Sequence, residues 1–321
     1  MTPQELDTLR RELPPFASDA ARPQLLATLC AFYHIDFHVR MAGVSYRAGT
    51  IQSGEFTLAV HRWLVPDARA NLLLVHGYFD HTGLFGKLIE WALAAGCNVL
   101  MFDLPGHGLS SGEPAAIDDF AQYSLAIHDV LSCAGTPGSG MPDLPWWAMG
   151  QSTGCAAITD YARHYDWPFD AAVLLAPLVR PVAWGLVRIG HMLAGRWRRS
   201  VPRRFTANST DSAFLEFIRN DPLQARHTSL RWVGALRRWL AELELTDLGL
   251  GPVFMVQGDN DGTVDWRYNL KAIVQLYPGT QVFMLPGAGH QLANETAAYR
   301  RQYLTAVRAY LADCGIHLDA N

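Results

Sequence analysis

Two glycines flank a serine at Gly150-Gln151-Ser152-Thr153-Gly154. The segment follows the apolar run Pro145-Trp-Trp-Ala-Met149 and leads into Cys-Ala-Ala-Ile, which favours a helix. Between a strand and a helix, such glycines permit a sharp, strained turn that pushes the serine hydroxyl out at the helix N-terminus. The same spacing recurs at Gly108-Leu109-Ser110-Ser111-Gly112, but Pro105 and Gly106 precede it and Pro114 follows it. No strand leads into that second copy and no helix easily leaves it, so Ser152 is the expected nucleophile. A serine hydroxyl attacks weakly at neutral pH. It needs a base within hydrogen-bond reach, and the base needs an acid to orient it. Such a set performs acyl transfer through a covalent acyl-enzyme.

The partners are sought later in the chain, on loops after strands, where an open α/β sheet gathers its ligands. His290 follows the strand-like run Gln281-Val-Phe-Met-Leu285 and sits in the flexible turn Pro286-Gly-Ala-Gly-His290. It is the expected base. His317 lies in the tail and reads as a surface residue; His191 and His227 read as structural. For the acid, the loop after Val253-Phe-Met-Val256 offers Asp259, Asp261 and Asp265. Asp265 directly precedes a helix and suits its N-cap. Asp261, at the crest of the loop, is the expected acid, with Asp259 as the alternative. Asp259, Asp261 and Gly262 also resemble part of a calcium loop, but Gln257 and Tyr268 would then fill positions that need carboxylates. No metal is expected there. The oxyanion that forms during acyl transfer needs two backbone N–H donors. Thr153, directly after the serine, is one. Tyr78, in the loop His76-Gly77-Tyr78-Phe79, is the other, with His76 fixing that loop.

These residues require a particular scaffold. Strand-like runs near 55–64, 71–76, 98–102, 145–149 and 171–176 interleave with helical runs at 84–95, 117–133 and 153–164. The alternation resumes with strands at 252–257 and 281–285 and helices at 266–276 and 295–313. Between Asn71 and His76 the run Leu72-Leu-Leu-Val75 is continuously apolar, as a strand buried on both faces should be. The pattern predicts an α/β fold with a mostly parallel sheet covered on both faces. The core occupies 51–176 and 251–321. An N-terminal helical extension spans 1–50, with helices expected near the start, where Thr2, Pro3 and Glu5 form a capping signal, and from Asp19 to Tyr33. The interruption at 177–250 reads as an inserted helical cap.

Bulk properties narrow the classes. The chain has 321 residues, 17% of them charged, and a net charge of −4, which gives no case for nucleic acid. Residues 177–240 hold twelve arginines and three acids, so their balance is +9 and the rest carries −13. The first residues are polar rather than signal-like, and no apolar run approaches the roughly 20 residues of a membrane span. Five scattered cysteines without CxxC spacing read as reduced thiols of a cytoplasmic protein.

His76-Gly-Tyr-Phe-Asp-His81-Thr-Gly83-Leu-Phe85, Asp103-Leu-Pro-Gly106-His107-Gly108-Leu-Ser110 and Asn220-Asp221-Pro222-Leu223 together resemble the monoglyceride lipase and lysophospholipase-like branch (serine aminopeptidase S33-type) of the α/β-hydrolase superfamily. The resemblance covers about residues 50–313. It implies an α/β-hydrolase fold and hydrolysis of a carboxylic ester, with Ser152, Asp261 and His290 as the triad. The substrate it implies is a monoacylglycerol, a lysophospholipid or another single-chain ester, and it implies no cofactor. Two positions depart from the branch. Its elbow usually reads GHSMGG, whereas this one is Gly150-Gln-Ser-Thr-Gly-Cys155; and Tyr78 stands where the lipases usually keep a small residue. Trp184 in the cap and Phe79 beside Tyr78 are expected to contact substrate. A thioesterase, amidase or acyltransferase on the same triad is the alternative, and a non-catalytic binding protein of this fold a further one. Seven arginines at 180–204, interleaved with Trp184, Trp197 and aliphatic residues, suit weak contact with an anionic membrane surface, or else salt bridges to the acidic remainder.

Overall fold

The computed structural model of the chain describes residues 1–18, 20–195 and 197–319, with the backbone alone at Ala194. The chain opens with α1 (Pro3–Glu12), α2 (Gln24–Phe32) and the short α3 (Phe37–Arg40). Thr2 and Glu5 close the expected capping box: Glu5 N–H donates to Thr2 Oγ1 at 3.2 Å, and Thr2 N–H to Glu5 Oε2 at 2.7 Å. The second helix starts at Gln24, directly after Pro23, rather than near Asp19; Asp19 itself lies outside the described residues.

Next come β1 (Ser45–Ser53), β2 (Phe56–Leu64), β3 (Ala70–Val75), α4 (Gly86–Ala94), β4 (Cys97–Phe102) and α5 (Ala121–Ala134). β5 (Trp146–Gln151), α6 (Thr153–His164) and β6 (Ala171–Leu175) follow. The excursion then holds α7 (Trp184–Ala194), β7 (Ser200–Pro202), α8 (Ser212–Asn220), β8 (His227–Ser229) and α9 (Leu230–Glu242). The chain returns through β9 (Phe254–Gly258), α10 (Trp266–Leu276), β10 (Gln281–Leu285) and α11 (Ala297–Asp313).

Eight strands form one sheet in the order β1-β2-β4-β3-β5-β6-β9-β10. β1 to β2 and β2 to β4 are antiparallel and every other pair is parallel. β3, β4, β5 and β6 are buried along nearly their whole length, as central parallel strands with helices on both faces must be. β7 and β8 pair only with each other.

One boundary moves. Residues 45–50, placed with the extension from sequence, belong to β1, which pairs along its whole length with β2. Its burial is mixed and it contains Gly49, so it gives a weak strand signal. A side chain at Gly49 would collide with the extension, whose Phe16 Cα would lie 2.6 Å from the added carbon. The extension is thus laid directly on β1, with Phe16 N–H donating to Thr50 O and Thr50 N–H to Pro14 O. Among the described residues no helix is long and apolar enough to cross a membrane.

Candidate active site

The sheet order brings the C-terminal ends of β3, β5, β9 and β10 to one edge of the molecule. The loops leaving those four ends carry Tyr78 and Phe79, Ser152 and Thr153, Asp261, and His290. At the end of β5, Ser152 takes φ 54° and ψ −112°, a conformation that non-glycine residues rarely adopt, and it caps α6. The elbow is tight enough that its glycines are obligatory. A Cβ on Gly154 would stand 2.2 Å from Val75 O, and one on Gly150 would stand 2.8 Å from Cys155 N.

Ser152 Oγ lies 2.9 Å from His290 Nε2, and His290 Nδ1 lies 2.8 Å from Asp261 Oδ2. The carboxylate fixes the ring tautomer: Nδ1–H donates to Asp261, leaving the Nε2 lone pair to receive the serine proton. Asp261 also accepts from Thr263 N–H, Val264 N–H and Gln257 Nε2 at 2.8–3.1 Å. Burial works against its charge, but His290 and these donors outweigh it and hold the carboxyl below its ordinary range. All three side chains are nearly inaccessible to solvent.

The competing residues are used elsewhere. Asp259 is exposed and accepts from Gly287 N–H at 2.6 Å. Asp265 caps α10, accepting from Tyr268 N–H, and pairs with Arg180 at 2.7 Å. Ser110 Oγ is buried between Asp103 O, to which it donates, and Ala59 N–H, from which it accepts. His191 bonds Leu230 O, while His227 and His317 are exposed.

Of the two expected oxyanion donors, Thr153 directly follows the serine, and Tyr78 follows Gly77, where an added Cβ would stand 3.4 Å from Ser152 Cβ. Among the described residues no acceptor takes the N–H of Tyr78 or of Thr153. His76 fixes the first of these loops: its Nε2 accepts from Leu104 N–H at 2.9 Å and its Nδ1 donates to Gly77 O at 2.8 Å. Burial pulls its titration down to about 4, so the ring is neutral in these roles. Phe79 is adjacent, with its ring against Tyr78 and beneath the Arg203 guanidinium, and it lines a cavity of about 510 Å³ together with His107, Gln224 and Ser229. Trp184 lines a second cavity of about 410 Å³ with Arg188, Arg237 and Leu240; neither Ser152 nor His290 is among the residues lining this cavity or the one at Phe79.

Gln151 and Gln291, like the Gln257 that donates to Asp261, were not anticipated from sequence as working residues. Gln151 is fully buried; its Nε2 donates to His290 O at 2.9 Å and its Oε1 accepts from Ala293 N–H at 3.3 Å. It stitches the elbow to the loop that carries His290. Gln291 donates to both oxygens of the buried Asp80, tying that loop to the one bearing Tyr78. The departure from the usual elbow at position 151 was the available signal.

The sheet, the strained serine elbow and the hydroxyl–imidazole–carboxylate chain define an α/β-hydrolase. The family model described as serine aminopeptidase, S33, matches residues 66–297. The monoacylglycerol lipase of Mycolicibacterium smegmatis is 30% identical over 249 residues, 71% of this chain and 84% of that one. The monoglyceride lipase of Mus musculus is 26% identical over 265 residues, 76% of this chain and 82% of that one. Among solved structures, a soluble variant of monoglyceride lipase from Saccharomyces cerevisiae, in complex with a substrate analog, aligns at a TM-score of 0.70. It is 19% identical and covers 85% of this chain and 95% of its own, which is a likeness of fold. The chain belongs to the serine aminopeptidase S33 family, within its monoglyceride lipase-like branch of ester-hydrolysing α/β-hydrolases.

Proposed function

We propose that the protein hydrolyses single-chain carboxylic esters of the monoacylglycerol or lysophospholipid kind through an acyl-enzyme on Ser152. The observation that carries this is the continuous chain from Ser152 Oγ through His290 to Asp261, seated on the strained elbow. His290 Nε2 takes the proton as Ser152 Oγ adds to the ester carbonyl. The developing oxyanion is held by the N–H groups of Tyr78 and Thr153. Collapse expels the alcohol, which receives the proton from His290. Water, deprotonated by the same ring, then releases the acid. The nucleophile, base, acid and oxyanion donors in this sequence all belong to the chain itself.

The names of the relatives support an acyl glycerol as substrate, and Phe79, beside Tyr78, and Trp184, in the cap, are proposed to contact it. Residues 177–250 are proposed to act as the cap over the site.

The cap is also proposed to rest on an anionic membrane surface, in a cytoplasmic setting. On α7 and just beyond it, Leu186, Ile189, Met192, Leu193 and Trp197 are exposed, Trp197 at 85%. Arg188, Arg198, Arg199 and Arg204 make no ion pair among the described residues, whereas Arg180 pairs with Asp265. Arg203 turns inward over Phe79. Arg196, the remaining arginine of the seven, lies outside the described residues.

A chain-length series of p-nitrophenyl esters beside monoacylglycerols tests the reading. Turnover of both, lost in Ser152→Ala together with fluorophosphonate labelling, is the expected result. Labelling that survives in Ser152→Ala would sink it. Transfer of the acyl group to an added alcohol in preference to water would make the protein an acyltransferase instead.

A further inference from the structure

Phe79 has a φ of 71°, in the left-handed region that a phenylalanine rarely enters. Such a conformation persists only where the surroundings hold it, and much of what holds it comes from the excursion between β6 and β9. Gln224 Nε2 donates to Phe79 O at 2.7 Å, and Gln224 Oε1 accepts from Arg203 Nη1. The Arg203 guanidinium lies 4.0 Å from the centre of the Phe79 ring. One residue earlier, the Tyr78 hydroxyl donates to Ala115 O at 2.7 Å and accepts from Ser229 N–H at 3.2 Å. The Tyr78 ring stacks on Trp232 with centroids 3.9 Å apart and planes at 22°. Arg203, Gln224, Ser229 and Trp232 all belong to the excursion. From the sheet side the same loop is held by Ala115 and, through Asp80, by Gln291.

We propose that the cap is a working part of the oxyanion hole, with Gln224 and the Tyr78 hydroxyl as positioning groups that hold the Tyr78 N–H in place. This rests on the reading of Ser152 as nucleophile and of Tyr78 N–H as an oxyanion donor. An oxyanion donor is useful only if it is fixed before charge develops, because reorienting it during the reaction forfeits its benefit. Here two consecutive residues, one of them the donor, are fastened to the cap. Seating of the cap and stabilisation of the transition state are therefore one event. A small residue at position 78, which the resembling lipases usually keep, reaches neither Ser229 nor Trp232, so the coupling is a property of this chain's tyrosine.

Gln224→Ala removes the hold on Phe79 O. Tyr78→Phe keeps the stack on Trp232 and removes both hydroxyl bonds, and serves as the second variant should the first fold poorly. With p-nitrophenyl butyrate, kcat is expected to fall roughly 10- to 100-fold in each while KM stays within about threefold, since a displaced oxyanion donor acts on the transition state alone. Two inhibitors separate this from general damage. A trifluoromethyl ketone, to whose carbonyl Ser152 adds so that the new oxyanion occupies the hole, should weaken in step with kcat/KM. A 1-O-alkylglycerol ether, which has no carbonyl, should bind as it does to the wild type. Wild-type kcat in both folded variants, or equal loss of both inhibitors, overturns the coupling. Ser152→Ala is run alongside: turnover that persists there would overturn the serine reading itself, whatever the other variants do.

Discussion

Both oxygens of Asp261 are occupied, one by two backbone amides and the other by His290 and Gln257. This arrangement keeps the carboxyl ionised although it is buried, and it presents Nε2 of His290 to the serine. Asp261→Asn leaves the shape but offers an amide where Nδ1–H needs an acceptor, so kcat should drop by roughly 10⁴-fold. Asp259→Asn, which alters only a surface bond to Gly287, should leave kcat near the wild-type value. Steady-state kinetics on one soluble ester decides between them, and the reverse order would move the acid to Asp259. Ser110 gives the converse expectation. Its hydroxyl joins β2 to the loop after β4, so Ser110→Ala should lower stability by about 1–3 kcal/mol through the orphaned Ala59 N–H while keeping fluorophosphonate labelling. Urea unfolding and labelling gels report the two halves separately; loss of the label in a folded Ser110→Ala protein would be the contrary outcome.

Among the elements, α7 stands apart. A surface helix normally turns its apolar stripe inward, yet Leu186 and Leu193 are each 73% exposed here. The neighbouring arginines supply charge of one sign with no acid among them. Each cation near an anionic bilayer contributes about 1 kcal/mol, and the attraction is screened over roughly 10 Å at 0.1 M salt. Co-sedimentation should show weak binding to phosphatidylserine-containing vesicles that fades as salt is raised, and none to neutral vesicles. Leu186→Glu with Leu193→Glu should remove it without altering turnover of a water-soluble ester. Equal binding to both vesicle types, or none to either, would leave α7 without a membrane role. α8 and the segment after it have a different task. Asp221 is buried between Tyr33 of the extension at 2.6 Å and His81 at 2.8 Å, so the extension, the loop that carries Tyr78 and the end of α8 meet at one carboxylate.

For the molecule as a whole, the cationic excursion and the acidic remainder are partly joined by ion pairs such as Arg231 with Glu113 and Asp118. Its response to acid follows from buried imidazoles. Burial lowers His76 to about 4 and His107 to about 3 from an ordinary 6.5, and lowers His61 as well. Burial would lower His81 too, but the Asp221 carboxylate raises it, and burial raises the Asp80 carboxyl, so these two groups act in the opposite sense. Below about 6.5 the unfolded chain takes up protons at His61, His76 and His107 that the folded chain refuses, so the unfolded state binds more and stability falls with pH. The depressed carboxyls of Asp221 and Asp261 extend the loss to lower pH still, as they protonate. The thermal midpoint should therefore decline steadily from pH 6.5 to 4. A midpoint that stays flat across that window would show these histidines to be solvated in the folded state.

Ser152, His290 and Asp261 were legible in the sequence because each chemical demand leaves a local trace: glycines where the backbone must turn tightly, a strand before each loop, an N-cap that removes Asp265 from contention. The alternation of strands and helices fixed the parallel sheet for the same reason, since periodicity is a property of neighbouring residues. β1 was hidden because its pairing partner, not its own pattern, makes it a strand. Gln151, Gln291 and the anchoring of Tyr78 and Phe79 were hidden for a related reason. Their partners lie as far as 211 residues away, between Asp80 and Gln291, and a glutamine that clamps two loops is spelled no differently from one in solvent. Tertiary structure alone decided which side chains meet across the edge of the sheet and which arginines turn inward, because those outcomes depend on how distant segments pack and on nothing a local window contains.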